Sequence, residues 1–182
     1  MKIKMPLRHV GLMPQKPWIY VFAICVLLWL ATSAAQQSKI LNGTVVRVAD
    51  GDTFFVDTGH GAWIEIRLYG VDCPERAWED RWPAQPWSDQ AKQFIISKAL
   101  NQKVSIRLTG ERTHGRDVGE AFVNGQSLSR ELLRAGLAWW NKKFARYDQD
   151  LERLETQAKA ARLGIWSTPN PIPPWRHRYN HR

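Results

Sequence analysis

Between Asn42 and Tyr69 the chain is broken into short runs rich in β-branched and aromatic residues, and each break is a turn signal. Residues 42–48 alternate weakly and run into Asp50-Gly51, and Gly59-His60-Gly61 separates Thr53–Asp57 from Trp63–Tyr69. This pattern predicts three strands joined by tight turns. Lys103–Leu108 alternates cleanly and predicts a fourth strand, and Val118–Val123, followed by Asn124-Gly125, predicts a fifth. Helical spacing appears in three other places. Ser88 is placed to cap a helix through Ala99, with Ala91, Phe94, Ile95 and Ala99 on one face. Ser127 starts a second helix that reaches Ala135 and stops at Gly136. Gln149 or Asp150 begins a third, with Leu151, Leu154, Ala158 and Ala161 on one side and its end at Gly164. One helix after the third strand and two after the fifth suit an α+β, mainly β architecture. The closest is a closed five-stranded barrel of the oligonucleotide/oligosaccharide-binding (OB) type with three helices.

The ends differ from this middle. A basic stretch ending at Lys16, an apolar run from Trp18 to Ala31 and the small residues Ala31-Thr32-Ser33-Ala34-Ala35 are the three zones of an export signal, with cleavage expected after Ala35. Residues 18–31 would rise only about 21 Å as a helix, short of a bilayer core of roughly 30 Å, so a cleaved signal is preferred over an uncleaved membrane anchor. The expected division is 1–35 signal or anchor, 40–168 folded domain and 169–182 tail. The tail holds Pro169, Pro171, Pro173 and Pro174 among Arg176, His177, Arg178, His181 and Arg182, and is expected to be extended, flexible and basic. Arg76–Trp87, with two prolines, reads as a loop.

The net charge of +9 includes four cations and no acid in the first 35 residues, which leaves +5 for the rest; a polyanionic partner suits that excess. Once Cys25 is removed with the leader, Cys73 stands alone, so no internal disulfide supports the domain, and no Cys/His group has zinc spacing. Nothing resembling a heptad or a sustained apolar stripe calls for a partner chain, and a monomer is expected.

Three acids, Asp52, Asp72 and Glu75, and the cation Arg67 lie in or beside the strand runs. Charges at strand ends suit convergence on a hard cation and an anionic substrate, which points to phosphate chemistry.

In order along the chain, Val45–Thr53, Ile66-Arg67-Leu68 to Asp72-Cys73-Pro74-Glu75, His114-Gly115-Arg116, Leu132–Ala138 and Ala158–Ser167 resemble the staphylococcal nuclease (thermonuclease) family. The resemblance spans about 42–167 and implies the same barrel with three helices. It also implies Ca²⁺-dependent hydrolysis of phosphodiester bonds in DNA, RNA or both. By that match Asp52 and Asp72 are carboxylate ligands of the metal, and Cys73 stands where the family uses a main-chain carbonyl. Arg67 and Arg116 are the phosphate-binding arginines, and Glu75 positions or deprotonates the attacking water. Arg112-Thr113-His114 departs from the family pattern just before Gly115-Arg116.

Plainer readings exist for each residue. Asp50-Gly51 is also an ordinary hairpin turn, Arg67 could lie along a barrel rim, and Glu75 could pair with Arg76 or Arg81 at the surface. Trp63, Trp139 and Trp166 are expected to fill the core or cover a barrel end. Trp78, Trp82 and Trp87 either stack on unpaired bases or pack within their loop. Trp140, Lys142, Lys143, Phe144, Arg146 and Tyr147 form a candidate basic, aromatic substrate wall. The alternatives to a nuclease are a non-catalytic OB barrel binding single-stranded nucleic acid, and a membrane-anchored interaction protein tethered through residues 18–31.

Overall fold

The structure, a computed structural model, describes residues 39–79, 81 and 83–181. The expected signal or anchor and Trp82 lie outside the described residues. Five long strands carry the fold: β1 Ile40–Val48, β2 Thr53–Asp57, β3 Ile64–Leu68, β5 Lys103–Thr113 and β6 Arg116–Val123. Short pairing segments accompany them, β4 Val71–Asp72, β7 Gln126–Ser127 and β8 Trp139–Trp140. The neighbour order is β3-β2-β1-β5-β6, and β3 also pairs with β6, in parallel, so the five strands close into a ring. One parallel pair closing an otherwise antiparallel ring matches the OB barrel expected from the sequence, and closure leaves neither β3 nor β6 with a free edge.

Phe54, Ile66, Leu68 and Ile106 fill the barrel from alternate strand positions, and each is under 2% exposed. Burial of such a side chain contributes about 1.5–3 kcal/mol. Helix α1 (Ser88–Ala99) buries Ala91, Ile95 and Ala99, whereas Phe94 is only half-buried. Helix α2 (Leu128–Arg134) is capped by the Ser127 hydroxyl, which accepts from the Arg130 amide, as its sequence predicts. Helix α3 (Lys142–Ala145) is a single turn, and α4 (Gln149–Ala160) follows with Asp148 as its cap. Buried Glu120 on β6 accepts from Ser127 and pairs with Arg130, which also reaches Asp148 at 3.3 Å, so one ionic group ties barrel, α2 and α4 together.

Several expectations are corrected. Ser88 does not cap α1; that place belongs to Trp87, in the left-handed region at φ 73° with no side-chain cap bond. Helix α4 ends at Ala160, because Arg162 takes the left-handed conformation (φ 52°) and the Leu163 amide donates back to the Ala158 carbonyl. The chain has therefore left the helix before Gly164, and Ala161 is exposed. Trp63 is 54% exposed instead of filling the barrel. The tail is not an extended chain: Pro174–Asn180 forms helix α5. The prolines assist it, since Pro174 occupies the first turn, where its missing N–H is not needed and its fixed φ is already helical.

Candidate active site

The local cause of the site is a tight turn between β1 and β2. Asp50 closes it by accepting from the Asp52 amide at 3.1 Å, and the Ala49 and Asp50 amides both donate to the Thr53 carbonyl. Gly51 is required by close approach, because a Cβ there would lie 2.7 Å from the Ala91 methyl and 2.9 Å from Cys73 Sγ. The Asp52 carbonyl accepts from the Leu68 amide at 2.8 Å, and strand register sets Thr53 opposite Arg67. Arg67 alternates with buried Ile66 and Leu68, so it projects from the opposite face of β3.

Asp52 and Asp72, 2% and 0% exposed, share one partner: Arg67 donates one Nη to each carboxylate. The other oxygen of Asp52 accepts from the Cys73 amide at 2.7 Å. Asp72 is held by pairing of β4 with β8, opposite Trp139. Arg116 opens β6 after the two-residue turn His114-Gly115, where both φ angles are positive (50° and 83°), and reaches Thr53 Oγ1 at 3.1 Å. The altered residues before it do not displace it, because Arg112 pairs with Asp117 across the turn and register sets Thr113 opposite Arg116. Burial and then repulsion from Arg67 make Arg116 less basic than a free guanidinium.

Glu75 lies in the loop after β4, 20% exposed at its side chain. It forms an ion pair that the sequence reading missed, with Arg178 of α5. Arg178 also donates to Asp72 Oδ2 at 2.9 Å. Burial disfavours the Arg178 charge, but its bonds to Asp72 and Glu75 outweigh this and hold the proton more firmly. Burial raises the Glu75 carboxyl above the usual glutamate range, with Arg178 opposing and Asp72 assisting. Asp50, also missed, is raised by burial against the pull of Arg67. The signal for Asp50 lay in the Asp-Gly-Asp spacing; for Arg178 it lay only in proline at a helix start.

Asp52, Arg67, Asp72, Cys73, Glu75 and Arg116 all line one open cavity of about 1090 Å³. The acidic oxygens are hard donors of the kind Ca²⁺ takes, and two carboxylates with a carbonyl would supply part of the six to eight oxygens it prefers. Among the described residues, no group of three His, Cys, Asp or Glu side chains is arranged to hold a metal ion. A cation at Asp52 and Asp72 would share them with Arg67 and Arg178. The Cys73 thiol is held well above its usual pKa, chiefly by burial, and is unsuited to act as a nucleophile.

The proposed aromatic wall divides. Lys142 lines this cavity, Lys143 and Phe144 line both it and a second, shallow one beside Tyr69, and Arg146 and Tyr147 line only the second. Trp140, although buried, also lines this cavity, and its Nε1 donates to the Ala145 carbonyl. Trp87 packs against the hydrophobic core and donates to Thr168, Trp139 and Trp166 meet edge to face, and Trp175 and Tyr179 of α5 join the cavity rim.

A fold of this kind with acids and arginines at one end of the barrel defines a class, and comparison with known proteins identifies it. Residues 65–168, more than half of the chain, match the family model described as staphylococcal nuclease homologue. An uncharacterized endonuclease of Escherichia coli O157:H7 is 32% identical over 142 residues, covering 76% of this chain and 86% of that protein. A staphylococcal-like nuclease of Arabidopsis thaliana is 30% identical over 119 residues, and an uncharacterized 38.1 kDa protein of Capnoides sempervirens is 34% identical over 119. Each of these two matches covers 64% of this chain, but only 34% and 32% of the plant proteins, so the chain spans about a third of their length. The chain belongs to the staphylococcal nuclease family.

Proposed function

We propose that this protein is a Ca²⁺-dependent nuclease that hydrolyses phosphodiester bonds of DNA, RNA or both. The observation that carries the reading is the convergence of Arg67, Arg116, Asp52, Asp72 and Glu75 on one cavity in a chain of this family. Phosphodiesters resist attack because their charge repels the nucleophile and the transition state gathers still more charge. Arg67 and Arg116 bind the phosphate oxygens through planar guanidinium forks that keep their charge. Asp52, Asp72 and the Cys73 carbonyl would hold Ca²⁺, which when bound supplies charge neutralisation at the phosphate. Glu75 orients the attacking water and accepts its proton, and the raised carboxyl makes its carboxylate a better acceptor than a free glutamate. Phe144, Trp175 and Tyr179 offer faces for unpaired bases at the rim.

The test is cleavage of single-stranded DNA and RNA with Ca²⁺ and with chelator. Activity is expected only with the cation, and Arg67→Ala and Glu75→Ala are each expected to lower it by about two to four orders of magnitude while the fold is retained. Full cleavage by either variant overturns the assigned roles. One observation favours a second reading, an OB barrel that binds single strands without cutting: Arg67 and Arg178 already neutralise the carboxylates that would otherwise repel a polyanion. Binding without shortening of either strand, across several divalent ions, would establish it. The zones of residues 1–35 support export with cleavage after Ala35, for which the N-terminal sequence of the mature protein is the check.

A further inference from the structure

Glu75 belongs to no strand or helix, yet a residue that orients water must be held to within a fraction of an ångström. Its backbone is held on both sides by one residue. Gln85 Oε1 accepts from the Glu75 amide at 2.9 Å, and the Gln85 amide donates to the Glu75 carbonyl at 2.7 Å. The remaining Gln85 group is also used, because Nε2 donates to the Ile172 carbonyl at 2.8 Å. Gln85 is 7% exposed in a loop whose neighbours Ala84 and Pro86 are exposed. Its burial is therefore matched by hydrogen bonds on both ends of the amide.

The same tail secures the Glu75 side chain. Arg178 joins Glu75 to Asp72, and α5 is fixed to the loop by His177 Nε2 donating to the Pro83 carbonyl at 3.0 Å. Residues 172–178 thus reach the main chain of Glu75 through Gln85 and its carboxylate through Arg178. They lie beyond the 65–168 segment that matches the family.

The geometry points to Gln85 and Arg178 as positioning residues for Glu75, with the C-terminal segment acting as a splint that completes the active site. This rests on the nuclease reading, in which Glu75 serves the attacking water. Neither residue need touch the reacting atoms: Gln85 fixes where the Glu75 backbone sits, and Arg178 fixes the direction of its carboxylate relative to Asp72.

The experiment compares the full chain with Gln85→Leu, Arg178→Gln and Arg178→Lys. It reads kcat and KM on a single-stranded oligonucleotide with Ca²⁺, the melting temperature, and hydrogen exchange of a peptide containing the Glu75 amide. Gln85→Leu is expected to speed that exchange. Gln85→Leu and Arg178→Gln are each expected to lower kcat by about 10- to 100-fold with KM within about twofold. Arg178→Lys, which keeps the charge but not the two-armed reach, should recover part of the loss. Arg178→Gln alters a side chain that is 30% exposed, which keeps the test independent of a folding defect at Gln85.

Unchanged kcat in both variants, or unchanged exchange in Gln85→Leu, overturns the proposal. A rise in KM alone would make Arg178 a substrate ligand, and a rise in kcat would make the tail an obstruction; either also overturns it. A parent chain that cuts nothing defeats the nuclease reading instead, and the exchange measurement still decides whether Gln85 holds Glu75.

Discussion

Cys73 illustrates how one residue can serve a site without reacting. Its amide anchors Asp52, its side chain packs where Gly51 leaves room, and the residue is 3% exposed. A larger group there would press on Gly51 and thus on the turn that presents Asp52. Burial raises the thiol pKa well above its usual value, and the acids at Asp50, Asp72 and Glu75 act in the same direction. The thiol therefore stays protonated where an exposed cysteine begins to ionise. At pH 8 the Cys73 peptide is expected to be alkylated by iodoacetamide only slowly in the native protein and rapidly in denaturant, as read by mass spectrometry. Rapid native labelling would show that the turn opens.

Helix α5 is the element least visible in the sequence, because seven residues with four prolines nearby show little apolar periodicity. Its stability comes from docking, since so short a helix is not stable alone. The contact has its own pH dependence. Burial lowers the His177 pKa, aided by the charges of His181 and Arg178 and opposed by the hydrogen bond to Pro83. The unfolded or undocked segment then binds a proton more readily than the docked one. Stability from docking is thus present above the ordinary histidine value of about 6.5 and falls as pH drops through the lowered value. Protection of the residue 172–180 amides, taken as exchange relative to the intrinsic amide rate at the same pH, is expected to be weaker at pH 5 than at pH 7.5, and His177→Gln should remove most of that difference. Equal protection at both pH values would count against His177 as the titrating group.

Across the whole molecule, closure of the barrel sets the site. Parallel pairing of β3 with β6 brings Arg67 beside Val118 and carries Arg116 to the same end as Thr53 and Asp52. The excess positive charge and the arginines at this cavity predict salt-sensitive binding of single strands. With two to three phosphates engaged, the slope of log affinity against log salt should be about −2, and Arg116→Ala should reduce it by roughly 0.7, as measured by fluorescence titration in chelator. A slope near zero would remove phosphate contacts from the account.

The order of the long strands and main helices and the barrel class were legible in the chain itself, because alternation and turn residues are local properties, while the residues from Asp52 to Arg116 were pointed to by the resemblance to a known family. Which partner each charge takes was not. Arg178 pairs with Asp72 and Glu75 across more than a hundred residues, Trp63 faces solvent, and Gln85 bridges a loop and the tail. Such pairings arise only when barrel closure and tail docking remove these groups from water together. Burial then decides which charges must be matched, and that depends on neighbours in space that no local pattern encodes.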